Sequence, residues 1–304
     1  MKLFVLVLSL LLFGNAFCQV RIVVPFPPGG SDDALARLMA PKLSEIWKEP
    51  VIVENKPGAS GHLGADFVAQ SPGDGKTLLM SSTASLTEKN VQQFAPVTLV
   101  SASPYVVTAS TKTNFTSIRE LISFARANPG KLTFGSSGTG AASHLCAELF
   151  KSMAKVDLAH VPYKGTGQAV TDLLAGQIDL LFAPSQAVMQ HVAAGKLKAL
   201  ATTGNRRSET LPNLPTLDEA GVFGYEAFDW FGLLAPAATP RNLVLKLSAD
   251  ANRVLADPDI RSRMHSLGAD PAGNTPDQFA RFIRSDQAKW ANVIRRTGIK
   301  PEGG

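Results

Sequence analysis

Short apolar, β-branched runs alternate with amphipathic stretches over most of this 304-residue chain. The runs at 20–24, 50–54, 77–80, 97–100, 132–134, 158–161, 178–182 and 197–202 have the length and side-chain type of buried strands. Between them, 32–47 carries Leu35, Leu38, Met39, Leu43 and Ile46 close to the period of one helix face. The stretches 63–70, 117–127, 142–153 and 168–175 repeat that pattern. Strand and helix taking turns in this way predicts open, mostly parallel α/β sheets. Beyond 225–234 the pattern changes, and 241–255, 259–267 and 276–296 all read as helices. Thr239-Pro240 and Thr275-Pro276 each put a capping residue before a proline at the first helical position. Gly268 and Gly298 fall where a left-handed helix stop belongs.

Two segments have the character of strands that cross between lobes, one near 96–107 and one near 226–235. With both crossing, 19–100 and 231–304 form a first lobe from the two chain ends, and 101–230 forms a second. Residues 1–18 stand apart. The apolar run Leu3 to Phe13 is far shorter than the ~20 residues a bilayer-spanning helix needs. Lys2 ahead of it and Ala16-Phe17-Cys18 behind it give the order of a secretory signal peptide, with cleavage after Cys18. Export to the periplasm follows, and Cys146 is then alone, a buried and unreactive thiol by default.

Composition narrows the function classes. A hydrophobic content of 45% with 18% charged residues is that of a folded globular chain. The net charge of +5 is spread thinly, and the densest basic clusters are the pairs Arg206-Arg207 and Arg295-Arg296, so nucleic-acid binding is not expected. A mild positive excess suits an anionic ligand.

Three strand-to-helix loops carry the candidate chemistry. Val24-Pro25-Phe26-Pro27-Pro28-Gly29-Gly30-Ser31 leads into a helix, and such a turn offers unpaired backbone N–H groups and a partial positive charge to an anion. Asp32 or Asp33 can cap the same helix, so their carboxylates need not face a ligand. Phe134-Gly135-Ser136-Ser137-Gly138-Thr139-Gly140 repeats the design and adds the hydroxyls of Ser136, Ser137 and Thr139. His144 lies just beyond, placed to orient that loop or to pack. Gly138 to Ser143 resembles a dinucleotide fingerprint but ends in Ser and has no phosphate-binding Lys. No cofactor is expected. The third loop, Tyr163-Lys164-Gly165-Thr166, brings a cation at Lys164. Catalysis is not expected: neither Gly-Ser-rich stretch completes Gly-x-Ser-x-Gly, and the five histidines have no zinc-type spacing.

At these loops the sequence resembles the receptor component of tripartite tricarboxylate transporters, the Bug-type extracytoplasmic solute receptors. The likeness covers nearly the whole mature chain. It includes Ile22 to Gly30, Val53 to Gly61, Asp74 to Leu79, Phe94 to Val97, His160 to Gly165, Leu211 to Thr216 and Trp230 to Pro236. The resemblance implies an α/β, two-lobe periplasmic binding protein of the type II, Venus-flytrap kind, with crossing hinge strands and a small-molecule carboxylate in the cleft. It also implies a membrane permease as partner and a monomer acting as a shuttle; a sensory receptor that presents its closed form to a signalling partner is an alternative reading. An exported hydrolase on the same scaffold is the rival from another class. Carried over residue by residue, the ligand contacts are Phe26, Pro28, Gly29, Gly30 and Ser31 from one lobe. The other supplies Ser136, Ser137, Gly138, Thr139 and His144, with Lys164 and Gly165 beside them.

Three departures from the family pattern stand out. The first strand follows almost directly on the signal peptide. The stretch 80–94 is about ten residues short, a loss that loops tolerate better than elements do. It normally supplies a ligand hydroxyl, here assigned to Ser82 with Ser81 and Thr83 as neighbours. Finally, Ala183 stands where Asp is common, which favours acids that lack an amine.

Overall fold

The computed structural model describes residues 19–83, 85–86 and 90–299. The proposed signal peptide, 1–18, lies outside them, as does part of the shortened segment. Two compact units emerge. The first takes the described residues up to Thr98 together with Leu233–Val254; the second takes Leu99–Gly232 and the described residues from Leu255 on.

In the first unit, β1 (Val20–Val24) lies between β2 (Val51–Asn55) and β3 (Thr77–Ser82), parallel to both. The connections are α1 (Ser31–Trp47) and α2 (His62–Ala69). Ile22, Val23 and Val24 of β1 and Leu78 and Leu79 of β3 are completely buried, as are Leu35, Met39 and Leu43 of α1. Continuous rather than alternating burial is what a parallel sheet between helices requires. The helix α7 (Arg241–Leu255) belongs mainly to this unit, and Trp47 Nε1 donates to Asp250 Oδ2 of α7 at 2.9 Å.

In the second unit the strand order is β8–β4–β7–β5–β6, with β4 (Phe94–Ser110), β5 (Thr133–Ser136), β6 (Ala159–Pro162), β7 (Leu180–Pro184) and β8 (Leu197–Thr202). β5 is parallel to β6 and β7, whereas β4 is antiparallel to β7 and β8. The C-terminal ends of β5, β6 and β7 therefore share one edge. From that edge start α4 (Ala142–Ala154), α5 (Thr166–Ala175) and α6 (Ser185–Ala193); α3 (Ile118–Ala127) joins β4 to β5. Phe134, Phe150, Phe182 and Tyr225 anchor the core.

The chain passes between units at 98/99 within β4, at 232/233 within β9 (Phe228–Pro236) and at 254/255 near the end of α7. The terminal helices differ from expectation. The whole of 231–304 is expected in the first lobe, but α8 (Pro258–Ser266) and α9 (Pro276–Thr297) pack with the second unit. The reason is apolar: Trp290 and Val293 of α9 enter the core that contains Cys146 and Phe150. Trp230 also donates its Nε1 proton to Asp286 Oδ2 at 2.8 Å and meets Phe279 edge-on.

Candidate functional site

The loop between β1 and α1 is held from below by one carboxylate. Asp33 Oδ2 accepts the Gly29 N–H at 2.9 Å, and Asp33 Oδ1 accepts from Asn55 Nδ2 at 2.9 Å. Arg37 Nε lies 3.1 and 3.0 Å from the two oxygens. The Arg37 guanidinium, followed by the Gly29 and Asn55 hydrogen bonds, outweighs burial and pulls the Asp33 carboxyl down to about 2. Asn55 Nδ2 also donates to the Phe26 carbonyl at 3.1 Å. Asp32 Oδ1 takes the Asp33 N–H at 3.0 Å, and burial pushes that carboxyl up.

Above this network Pro28, Gly29, Gly30 and Ser31 are exposed. Gly29 has φ of 93°, a left-handed conformation that glycine adopts without strain. Its amide is committed to Asp33, so the expectation that it donates to a ligand shifts one residue on. The amides of Gly30 and Ser31 donate to nothing among the described residues, and Gly30 caps α1 without a side chain. Phe26 is half-buried; Phe26 and Ser85 are the nearest neighbours of the Gly61 α-carbon face. Ser82 is half-exposed, and its carbonyl accepts the Ser85 and Leu86 amides at 3.3 and 3.2 Å. Ser81, by contrast, is buried with its hydroxyl 2.9 Å from that of Ser85.

The second unit carries the loop between β5 and α4. Ser136 is fully buried, its Oγ 3.0 Å from the Gly138 carbonyl, 3.2 Å from the Gly138 amide and 2.7 Å from His160 Nε2. Its hydroxyl is thus spent inside the loop, where a ligand contact was expected. Ser137 is half-exposed; its amide donates to Ser143 Oγ at 2.9 Å, and the two hydroxyls are 3.0 Å apart. The Gly140 amide donates to His144 Nδ1 at 2.9 Å, so His144 orients the loop and keeps its proton on Nε2. The rings of Phe134, His160 and His144 form a stack, with His144 and His160 centred 3.7 Å apart and 9° from parallel. Burial, then the nearby Lys151, pulls His144 down to about 4; burial, then His144, does the same to His160.

Adjacent to this loop, the Tyr163 amide donates to the Ser136 carbonyl at 3.1 Å. Lys164 is exposed, its backbone amide bonded to Gln168 Oε1 at 3.2 Å. Gly165, with φ of 127°, caps α5 without a side chain. Loops two and three are therefore neighbours in the fold. Ala183 belongs to neither: it is fully buried beside Val106, its partner across β7 and β4, in a core that also holds Ala169 and Val188. Any influence it has is through packing.

Sequence reading alone missed Asn55 and His160. A signal for His160 existed, since it stands opposite Phe134 in the β5–β6 register and the same distance before its loop. Ser136 and His160 are the nearest thing to a nucleophile–base pair, but a hydroxyl with no exposure cannot meet a substrate. Among the described residues no His, Cys, Asp and Glu group could hold a metal ion.

Residues 35–299 match the tripartite tricarboxylate transporter family receptor, TctC. The chain belongs to that family. Over 292 residues it is 35% identical to protein BugT of Bordetella pertussis, covering 92% of this chain and 90% of that protein. Among solved structures, R. palustris Rpa4515 with adipate is 34% identical, with a TM-score of 0.75 over 93% of this chain and 98% of the other. MatC of Rhodopseudomonas palustris with bound malate is 29% identical, with a TM-score of 0.70 over 91% and 98%. TctC-family proteins are two-lobe α/β solute-binding receptors and not enzymes. Among the described residues no helix is long and apolar enough to cross a membrane.

Proposed function

We propose that this protein is a periplasmic receptor that captures a small organic carboxylate between its lobes and delivers it to a membrane permease of the tripartite tricarboxylate type. One observation carries the reading. Each unit presents a glycine-rich turn from a strand end to a helix without a side-chain cap, with its inner polar groups already satisfied from below. What remains on the outer side is a set of amides and hydroxyls, the chemistry that suits a carboxylate.

The donors assigned to the ligand are the Gly30 and Ser31 amides with the Ser82 hydroxyl from one unit. The Ser137 hydroxyl and the Thr139 amide serve from the other, with Lys164 at the rim. Two relatives hold adipate and malate, both dicarboxylates without an amine.

Hydrogen bonds to a charged group contribute about 1.5–3 kcal/mol each. Two or three that form only when both units engage the ligand are enough to tip a hinge whose states differ by a few kcal/mol. The test is isothermal titration of ligand-free mature protein with malate, adipate, citrate and benzoate. Saturable binding of at least one is expected; heat of dilution alone for every di-, tri- and aromatic acid tried would end the proposal.

A further inference from the structure

We infer that His160 is a positioning residue for the second ligand loop, holding Ser136 so that the peptide after Gly138 turns its N–H outward. The inference rests on reading 136–140 as a carboxylate loop.

The imidazole of His160 has little freedom. It packs near-parallel to Phe134, with centroids 4.9 Å apart and planes at 23°, and stacks on His144 at 3.7 Å and 9°. Its one strong polar contact along the loop is Nε2 to Ser136 Oγ at 2.7 Å. Ser136 has a single proton, and the Gly138 carbonyl lies 3.0 Å from its oxygen. With that proton on the carbonyl, Ser136 offers only lone pairs to the Gly138 amide and to His160, so His160 donates from Nε2. Burial keeps the ring neutral, with one proton to give.

The consequence falls one residue further on. A trans peptide points its C=O and N–H in opposite directions. Holding the Gly138 carbonyl inward on Ser136, where it also accepts the Ala141 amide at 3.2 Å, turns the Thr139 N–H outward. Thr139 is half-exposed, and its amide donates to nothing among the described residues. Gly138 itself has φ of 142°, a conformation with few intrinsic restraints, so the orientation of this peptide depends on what holds it. The Gly138 and Gly140 peptides are thus each tied to one imidazole, through Ser136 in the first case and directly in the second.

Two substitutions separate hydrogen bonding from packing. His160→Phe keeps a flat ring in the stack and removes Nε2; His160→Gln returns an N–H donor at similar reach. Titrating ligand-free protein with malate and adipate, His160→Phe is expected to weaken binding about tenfold, and His160→Gln to recover most of it. Ser136→Ala should weaken binding similarly, and the double variant Ser136→Ala/His160→Phe no further than either alone. Unchanged affinity in His160→Phe, equal losses in the Phe and Gln variants, or additive losses in the double variant would each overturn the inference. If His160→Phe fails to fold, Ser136→Ala decides: unchanged affinity overturns the inference and weakened binding supports it. Failure of the carboxylate reading is distinguishable, because the wild-type protein would then bind neither acid.

Discussion

A methyl group at Gly232 would lie 2.1 Å from the Phe279 ring, which packs edge-on to Trp230. Gly232→Ala is therefore an overpacking change, expected to cost about 1–3 kcal/mol and to lower the urea midpoint without changing the slope. Titrating residues give a second prediction. Burial, then Lys151 for His144 and His144 for His160, pulls both rings from 6.5 to about 4, so the unfolded chain takes up their protons first. Stability should fall as pH drops from about 6.5 to about 4. Asp33 acts lower down: paired with Arg37 it falls from 3.8 to about 2, so its contribution is complete above 3.8 and lost toward 2. The urea midpoint against pH should show the histidine decline first, and His160→Gln should shrink it; an equal decline in that variant would assign the protons elsewhere. Neither shift was legible in the sequence, because desolvation of the imidazoles depends on a stack assembled from three separate elements.

The last helix begins at a cap the sequence spells out. Thr275 Oγ1 accepts the Gln278 amide at 3.2 Å, and Gln278 Oε1 accepts the Thr275 amide at 2.8 Å. Thr275→Ala should destabilise the protein by about 1 kcal/mol, read from chemical denaturation, with carboxylate affinity unchanged. Local signals of this kind explain why β1, β8 and α7 fall where the apolar pattern puts them. β4 is longer than its signal: the apolar pattern puts a strand at 97–100 within a crossing segment near 96–107, and one strand runs through Ser101-Ala102-Ser103-Pro104 from Phe94 to Ser110. The helix α6 went unseen because only Ser185 and Val188 along it are buried, too narrow a stripe to give a period. For α8 and α9 the sequence shows an apolar face without naming its partner. That α9 docks on the core around Phe150 is tertiary information, carried by Trp290, Val293 and the Trp230–Asp286 bond. The loops fared similarly: their glycines and hydroxyls were legible, but which polar groups point inward was not.

At the scale of the molecule, the two units each have a core of their own, and the chain passes between them inside β4, inside β9 and at the end of α7. Such units can unfold in separate calorimetric steps, and that makes the reach of the ligand measurable. A ligand present at a hundred times its dissociation constant stabilises whatever it binds by about 2.7 kcal/mol. If the carboxylate were held by Gly30 and Ser31 alone, only the transition of the first unit would rise. If Ser137 and Thr139 alone held it, only the second would. A ligand gripped by both loops ties the units together, so both transitions should rise and move toward a single one. Scanning calorimetry of the ligand-free protein with increasing malate or adipate reads this directly. Ser137→Ala should then weaken the coupling more than it changes the transitions of the empty protein. A shift confined to one transition at saturating ligand would leave a receptor that binds on one lobe, with closure driven by something other than the bridging carboxylate.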